Sequence, residues 1–160
     1  MKIGKVVNQA INKQINLEMW SSNLYLSMSM YLQYQGYAGM AKWLMRQSKE
    51  EMDHAYDMMD FVNRRGGCVT ILPLAEVPTE FGSVADVFTK VYEHECLVTS
   101  KIEEMVGIAS QERDMASQDF FWKYIREQVE EEDTASSIID RIKLSREQSL
   151  IFLDEELAKV

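Results

Sequence analysis

Proline occurs only twice in this chain, at Pro73 and Pro78, and glycine only seven times in 160 residues. Both residues interrupt helices, so their scarcity excludes a turn-rich architecture and favours long unbroken helices. Cysteine is limited to Cys68 and Cys96, with no CxxC pair. That excludes a disulfide framework and leaves two free thiols as the expectation. Basic residues are outnumbered, 17 against 26 acids, for a net charge of −9. Nucleic-acid binding through a basic surface is therefore not expected. No apolar run approaches the ~18 residues of a membrane span, and no secretory pattern opens the chain, so a cytoplasmic protein without membrane partners is expected. What remains is 46% hydrophobic and 27% charged, the balance of a soluble globular protein whose length suits one domain over residues 1–160.

Apolar residues recur at helical spacing in four long stretches. The first, about Lys5 to Gln35, has the seam Val7, Ile11, Gln14, Glu18, Ser21, Tyr25, Met28, Leu32, and Gly36 is its stop. The second, about Met40 to Arg65, aligns Leu44, Glu51 and Met58, with His54 and Phe61 on an adjoining row, and ends at Gly66-Gly67. The third opens on Ser83-Val84-Ala85-Asp86, a variant capping box, with the seam Val84, Phe88, Val91, Glu95, Val98, Ile102, Met105, Ala109. A turn near 111–114 precedes the fourth, whose seam is Phe121, Tyr124, Gln128, Glu131, Ala135, Ile138, Ile142. Ser145-Arg146-Glu147-Gln148 is a second capping box, opening a short fifth helix (about 146–157) that carries Leu150, Leu153 and Leu157. These patterns predict an all-α fold: a four-helix bundle over about 5–143 with one long crossover at 66–82 and a short C-terminal helix. The crossover reaches ~55 Å extended, against ~39 Å for a 26-residue helix, so it can traverse the bundle. Its Val69, Ile71, Leu72 and Leu74 are expected to pack on the bundle surface.

Each of the four seams contains an acid: Glu18, Glu51, Glu95 and Glu131. Removing a carboxylate from water costs several kcal/mol even after relaxation, and four of them would exceed the ~5–15 kcal/mol net stability of a domain. Something positive must sit among them, and these faces carry too few basic residues. Gly36 lies midway between Glu18 and His54, and residue 113 midway between Glu95 and Glu131, so each hairpin brings its acids to one height. Glu51-Met52-Asp53-His54 is an E-x-x-H, and Gln128-Val129-Glu130-Glu131 is a Q-x-x-E at the same spacing, which shares a helix face. Any one acid alone is a rim residue or a salt-bridge partner. Together, in register, they describe a metal site of oxygen donors with one nitrogen, a set suited to iron or manganese. His94 and Glu93 flank Glu95 but point away on a helix and are read as outside the site.

This set matches the known template of ferritin-like di-iron proteins, and over nearly its full length the chain resembles a prokaryotic non-haem ferritin. The resemblance implies iron oxidation and storage. Glu18, Glu51 and His54 would hold one iron and Glu51, Glu95 and Glu131 a second, with Glu51 bridging, Gln128 beside the second iron and Tyr25 close by. A third iron site would use Glu50, Glu127 and Glu130 together with Glu131. Fe(II) and dioxygen or hydrogen peroxide would be the reactants, and a hollow homo-oligomer of twenty-four subunits the store. Bacterioferritins also carry a methionine where Met52 stands, but they have a second E-x-x-H on the fourth helix in place of Gln128-x-x-Glu131. No haem is therefore expected. Three rivals predict otherwise: a di-iron oxygenase, which usually needs a longer chain; a metal-free bundle; and a miniature DNA-protecting ferritin, which shares ligands between subunits. Glu112, Asp114 and Asp119 are candidates for an iron-access channel.

Overall fold

The computed structural model describes residues 2–145 and 147–160. The second capping box depends on Arg146 and on the side chains of residues 147 and 148, and so lies outside the described residues. Five helices account for the described secondary structure: α1 (Lys5–Tyr34), α2 (Ala38–Arg64), α3 (Val84–Gln111), α4 (Met115–Leu144) and α5 (Glu147–Leu157). Among the described residues no strand occurs and no helix is long and apolar enough to cross a membrane. Ser83 accepts from the Asp86 amide while the Asp86 carboxylate accepts from Ser83 N–H, so the capping box of α3 is complete.

The two hairpin pivots share a backbone conformation. Gly36 has φ 94° and Arg113 φ 55°, both left-handed, which lets a helix stop and reverse. Between α2 and α3 the crossover runs parallel to α1 and is fastened to it by hydrogen bonds. Cys68 N–H donates to Asn8 Oδ1 at 3.1 Å and Thr70 N–H to Asn12 Oδ1 at 2.7 Å. Farther along, Ser27 Oγ donates to Pro78 O at 2.6 Å and Tyr31 OH to Gly82 O at 2.8 Å. The link thus spans most of α1, and α3 starts at the far end. The expectation of apolar packing holds only in part. Val69 packs against the core, whereas Ile71 and Leu72 are exposed; the extended chain satisfies its backbone through α1 side chains instead.

Every seam residue of α1 and α3 is buried. The core divides into two apolar clusters. One includes Met28, Leu32, Leu44, Phe88 and Ile138, and the other Val7, Ile11, Met58, Ile102 and Phe121. The acid-bearing turns of the four helices lie between them along the seams. Met52 packs against the second cluster, the ordinary use of a flexible apolar side chain. Both cysteines are free thiols.

Candidate metal centre

Glu18 and Glu95 are buried in the waist, as is Glu51, and His54 and Glu131 are half-buried. Oxygens of Glu18 and Glu51 and a ring nitrogen of His54 lie within 4.8 Å of one another, a spacing that one cation could bridge. His54 Nδ1 stands 3.3 Å from Glu51 Oε2. Glu18 Oε1 accepts from Gln14 Nε2 at 2.6 Å, but Glu18 Oε2 is buried with no hydrogen-bond partner. A buried anionic oxygen left unpaired is costly, and this one belongs to a carboxylate of that donor group.

Glu95 is held from two sides. Tyr25 OH donates to Oε1, and Gln128 Nε2 donates to Oε2 at 3.1 Å. Glu131 Oε2 accepts from Gln47 Nε2 at 3.1 Å. A second group of donors forms around His54: its Nε2 stands 3.2 Å from Glu127 Oε1, and Glu50 lies within the same 4.8 Å spacing. Glu130 is exposed and outside that group. Of the residues assigned to a third site, the structure brings Glu50 and Glu127 together through the imidazole.

The electrostatics express a shortage of positive charge. Burial, reinforced by the facing Glu51 carboxylate, raises the Glu18 carboxyl well above its ordinary range. Burial pushes Glu51 up to about 8, with Glu95 and Glu131 adding to it. Glu131 is pushed up to about 7 by burial and by Glu95, and Glu95 is raised by burial. Burial would lower His54, but the Glu127 carboxylate and the acids around it outweigh that and raise it. Among the described residues, His54 is the basic side chain paired with this cluster. One imidazole cannot balance three buried carboxylates and a fourth half-buried one, so the donor set fits a divalent cation.

Several contacts were not anticipated from the sequence. His94 is buried, with Nε2 2.7 Å from Ser21 Oγ and its ring edge-on to Tyr25 at 5.7 Å. Burial pushes it down to about 4, so it is a neutral packing partner behind Tyr25 and not part of the donor set. Gln14 and Gln47 stand one turn before Glu18 and Glu51. A Q-x-x-x-E repeated in two neighbouring seams was the available signal. Asp114 is engaged: Arg65 donates to both its oxygens, at 3.0 and 3.1 Å, and it caps α4. Glu112 and Asp119 are exposed.

The family model for the ferritin-like domain matches residues 8–145. The bacterial non-heme ferritin of Bacteroides fragilis (strain 638R) is 46% identical over 157 residues, covering 98% of this chain and 99% of the relative. That of Escherichia coli O157:H7 is 35% identical over 152 residues, covering 94% and 92%. Among solved structures, the open pore ferritin of Archaeoglobus fulgidus superposes with a TM-score of 0.96 at 42% identity, covering 99% of this chain and 98% of that one. A buried carboxylate cluster at the waist of a five-helix fold, and likeness to non-haem ferritins along nearly the whole chain, place this protein in the ferritin family, on its non-haem bacterial branch.

Proposed function

We propose that this chain is an iron-storage subunit with ferroxidase activity. It takes up Fe(II), oxidises it at the waist, and passes Fe(III) to a mineral held inside a hollow homo-oligomer, in the cytoplasm. Glu18, Glu51 and His54 bind one Fe(II). Glu51, Glu95 and Glu131 bind the other, with Glu51 bridging and Gln128 holding Glu95 in place. Each Fe(II) gives up one electron. Dioxygen takes two electrons and two protons to become hydrogen peroxide, and peroxide takes two more of each to become water. Anionic carboxylates favour the more highly charged ferric product and so make Fe(II) easier to oxidise, while reduction of the oxidant supplies the driving force. Tyr25 fixes Glu95 through its hydroxyl. Glu50 and Glu127, with Glu131 nearby, form a third site, where iron leaving the pair is held, and Glu130 is its fourth candidate from the solvent side.

The observation that carries this reading is the meeting of Glu18, Glu51 and His54 donor atoms within 4.8 Å of one another, with Glu18 also keeping a buried oxygen without a hydrogen-bond partner. A haem-free store of twenty-four subunits follows the family to which the chain belongs. The test is native mass measurement before and after aerobic Fe(II) loading. The expected outcome is a large assembly that gains many irons per chain. A particle that remains one subunit, 18.6 kDa, excludes storage. An assembly that stops near two irons per chain is the behaviour of an oxygenase.

A further inference from the structure

The two approaches to the carboxylate cluster differ in charge. On the α2–α4 side Glu50, Glu127 and Glu131 are half-buried and Glu130 is exposed, so solvent meets acid there. On the α1–α3 side lies a pocket of about 330 Å³ with Ala10, Leu17 and Met105 in its wall, Lys13 and Lys101 at its rim, and Gln14 among its lining residues. Lys101 Nζ donates to Glu104 at 2.9 Å, and Lys101 and then Lys13 draw that carboxyl down. Two cations thus stand against one anion at this rim. Gln14 is 4% exposed, and its Nε2 donates to Glu18 Oε1 at 2.6 Å. One buried amide therefore touches both the pocket and a carboxylate of the cluster.

We propose that this α1–α3 pocket admits the small uncharged oxidant, dioxygen or hydrogen peroxide, to the cluster past Gln14, while Fe(II) arrives from the acidic α2–α4 side. The inference rests on the ferroxidase reading above. A dication meets a net positive rim at the pocket and would have to shed water against apolar walls, which is costly. A neutral two-oxygen molecule meets neither barrier. The electrons it takes come from the two Fe(II), as balanced above. Separate routes let iron bind on one side while the oxidant enters from the other.

Leu17→Trp and Ala10→Phe each fill the pocket from its wall; neither residue belongs to the donor set. Wild type and variants are loaded anaerobically with two Fe(II) per chain, then mixed with rising dioxygen and, in a second series, hydrogen peroxide. The slope of oxidation rate against oxidant concentration should fall about tenfold in the filled variants, for whichever oxidant uses this path. The rate and stoichiometry of anaerobic Fe(II) binding should stay unchanged. Charge reversal at the rim, Lys13→Glu with Lys101→Glu, should leave the oxidation slope unchanged, because the traveller is neutral. Unchanged slopes in the filled variants overturn the proposal. So does slowed Fe(II) binding in them, or a changed oxidation slope in the charge-reversed protein, which keeps the test sharp even where a filled variant does not fold. A wild type that binds or oxidises no Fe(II) fails earlier, and it is the ferroxidase reading that then falls.

Discussion

Glu18 concentrates the conflict on which this site depends. Its Oε1 has a donor in Gln14 and its Oε2 has none, in a position that burial and Glu51 make unfavourable for an anion. Without metal, such carboxyls fold more readily protonated. A group whose folded pKa lies above its unfolded value contributes stability that is fully present below the unfolded value and is lost as pH rises through the folded one. For Glu131 and Glu51 the loss runs from the ordinary glutamate range up through about 7 and about 8. The Tm of metal-free protein should therefore fall between about pH 5 and pH 8.5, at ~2–4 °C per kcal/mol for a chain of this size. Redox-inert Zn(II) should flatten the decline. Glu18→Gln removes one charge and keeps the shape, so metal-free Tm at the alkaline end should rise while Fe(II) oxidation collapses. Thermal scans of metal-free protein across pH, paired with an oxidation assay, check both. A metal-free Tm that climbs across this window would mean that something other than a cation relieves the acids.

At the scale of helices, α5 docks by replacing solvent at the start of α2. Asp154 accepts from the backbone N–H of Gly39 at 3.0 Å and of Met40 at 2.7 Å, two donors that no carbonyl within α2 can satisfy. Gly39 permits the approach: a Cβ there would lie 1.8 Å from the Asp154 carbonyl oxygen. Arg46 donates to Leu157 O at 2.7 Å and Arg141 to Glu156 at 2.5 Å, fixing the far end. Asp154→Ala should cost ~0.5–2 kcal/mol, the usual loss of a cap. Gly39→Ala should cost more, because backbone must move, and hydrogen exchange in α5 should rise in both. The same elements show what a sequence reveals. The seams of α1 and α3 were legible because burial at 3.6-residue spacing leaves a periodic record, and so was the height of each acid, because the pivots at Gly36 and Arg113 halve the hairpins. The docking of α5 was not, since Asp154 and Gly39 are 115 positions apart and no periodicity links them. Nor was the exposure of Ile71 and Leu72, because an extended link has no repeating face. Within the site, donor types and their level were legible. The pairing of Tyr25 with Glu95 and of His54 with Glu127 was not, because spacing places side chains on a face without choosing their partners.

For the whole molecule, the proposed function contrasts a chemistry whose ligands one chain can supply with a store that one chain cannot enclose. Four helices of a single chain supply the whole proposed donor set, so oxidation should not need neighbours. The surface tells a different story: Tyr34 is 93% exposed, Leu144 86% and Phe152 72%, with Ile151 exposed beside Phe152 at the α4–α5 end. Large apolar side chains left in water in clusters mark surfaces that associate. Introducing charge at one of them, Phe152→Asp, places an anion where an interface would have to desolvate it. The expected result is a shift from assembled particles to small species in sedimentation velocity, with little change in thermal stability, because Phe152 contributes almost no burial within the chain. Initial Fe(II) oxidation per chain should persist in the small species, while the iron retained per chain after prolonged aerobic loading should drop to the few that the waist can hold, the rest precipitating. If oxidation is lost along with assembly, the ligand set is completed between subunits rather than within one. If assembly survives the new charge, the α5 face is not a contact and the shell closes through other surfaces, among which the exposed Tyr34 end of α1 is the next to change.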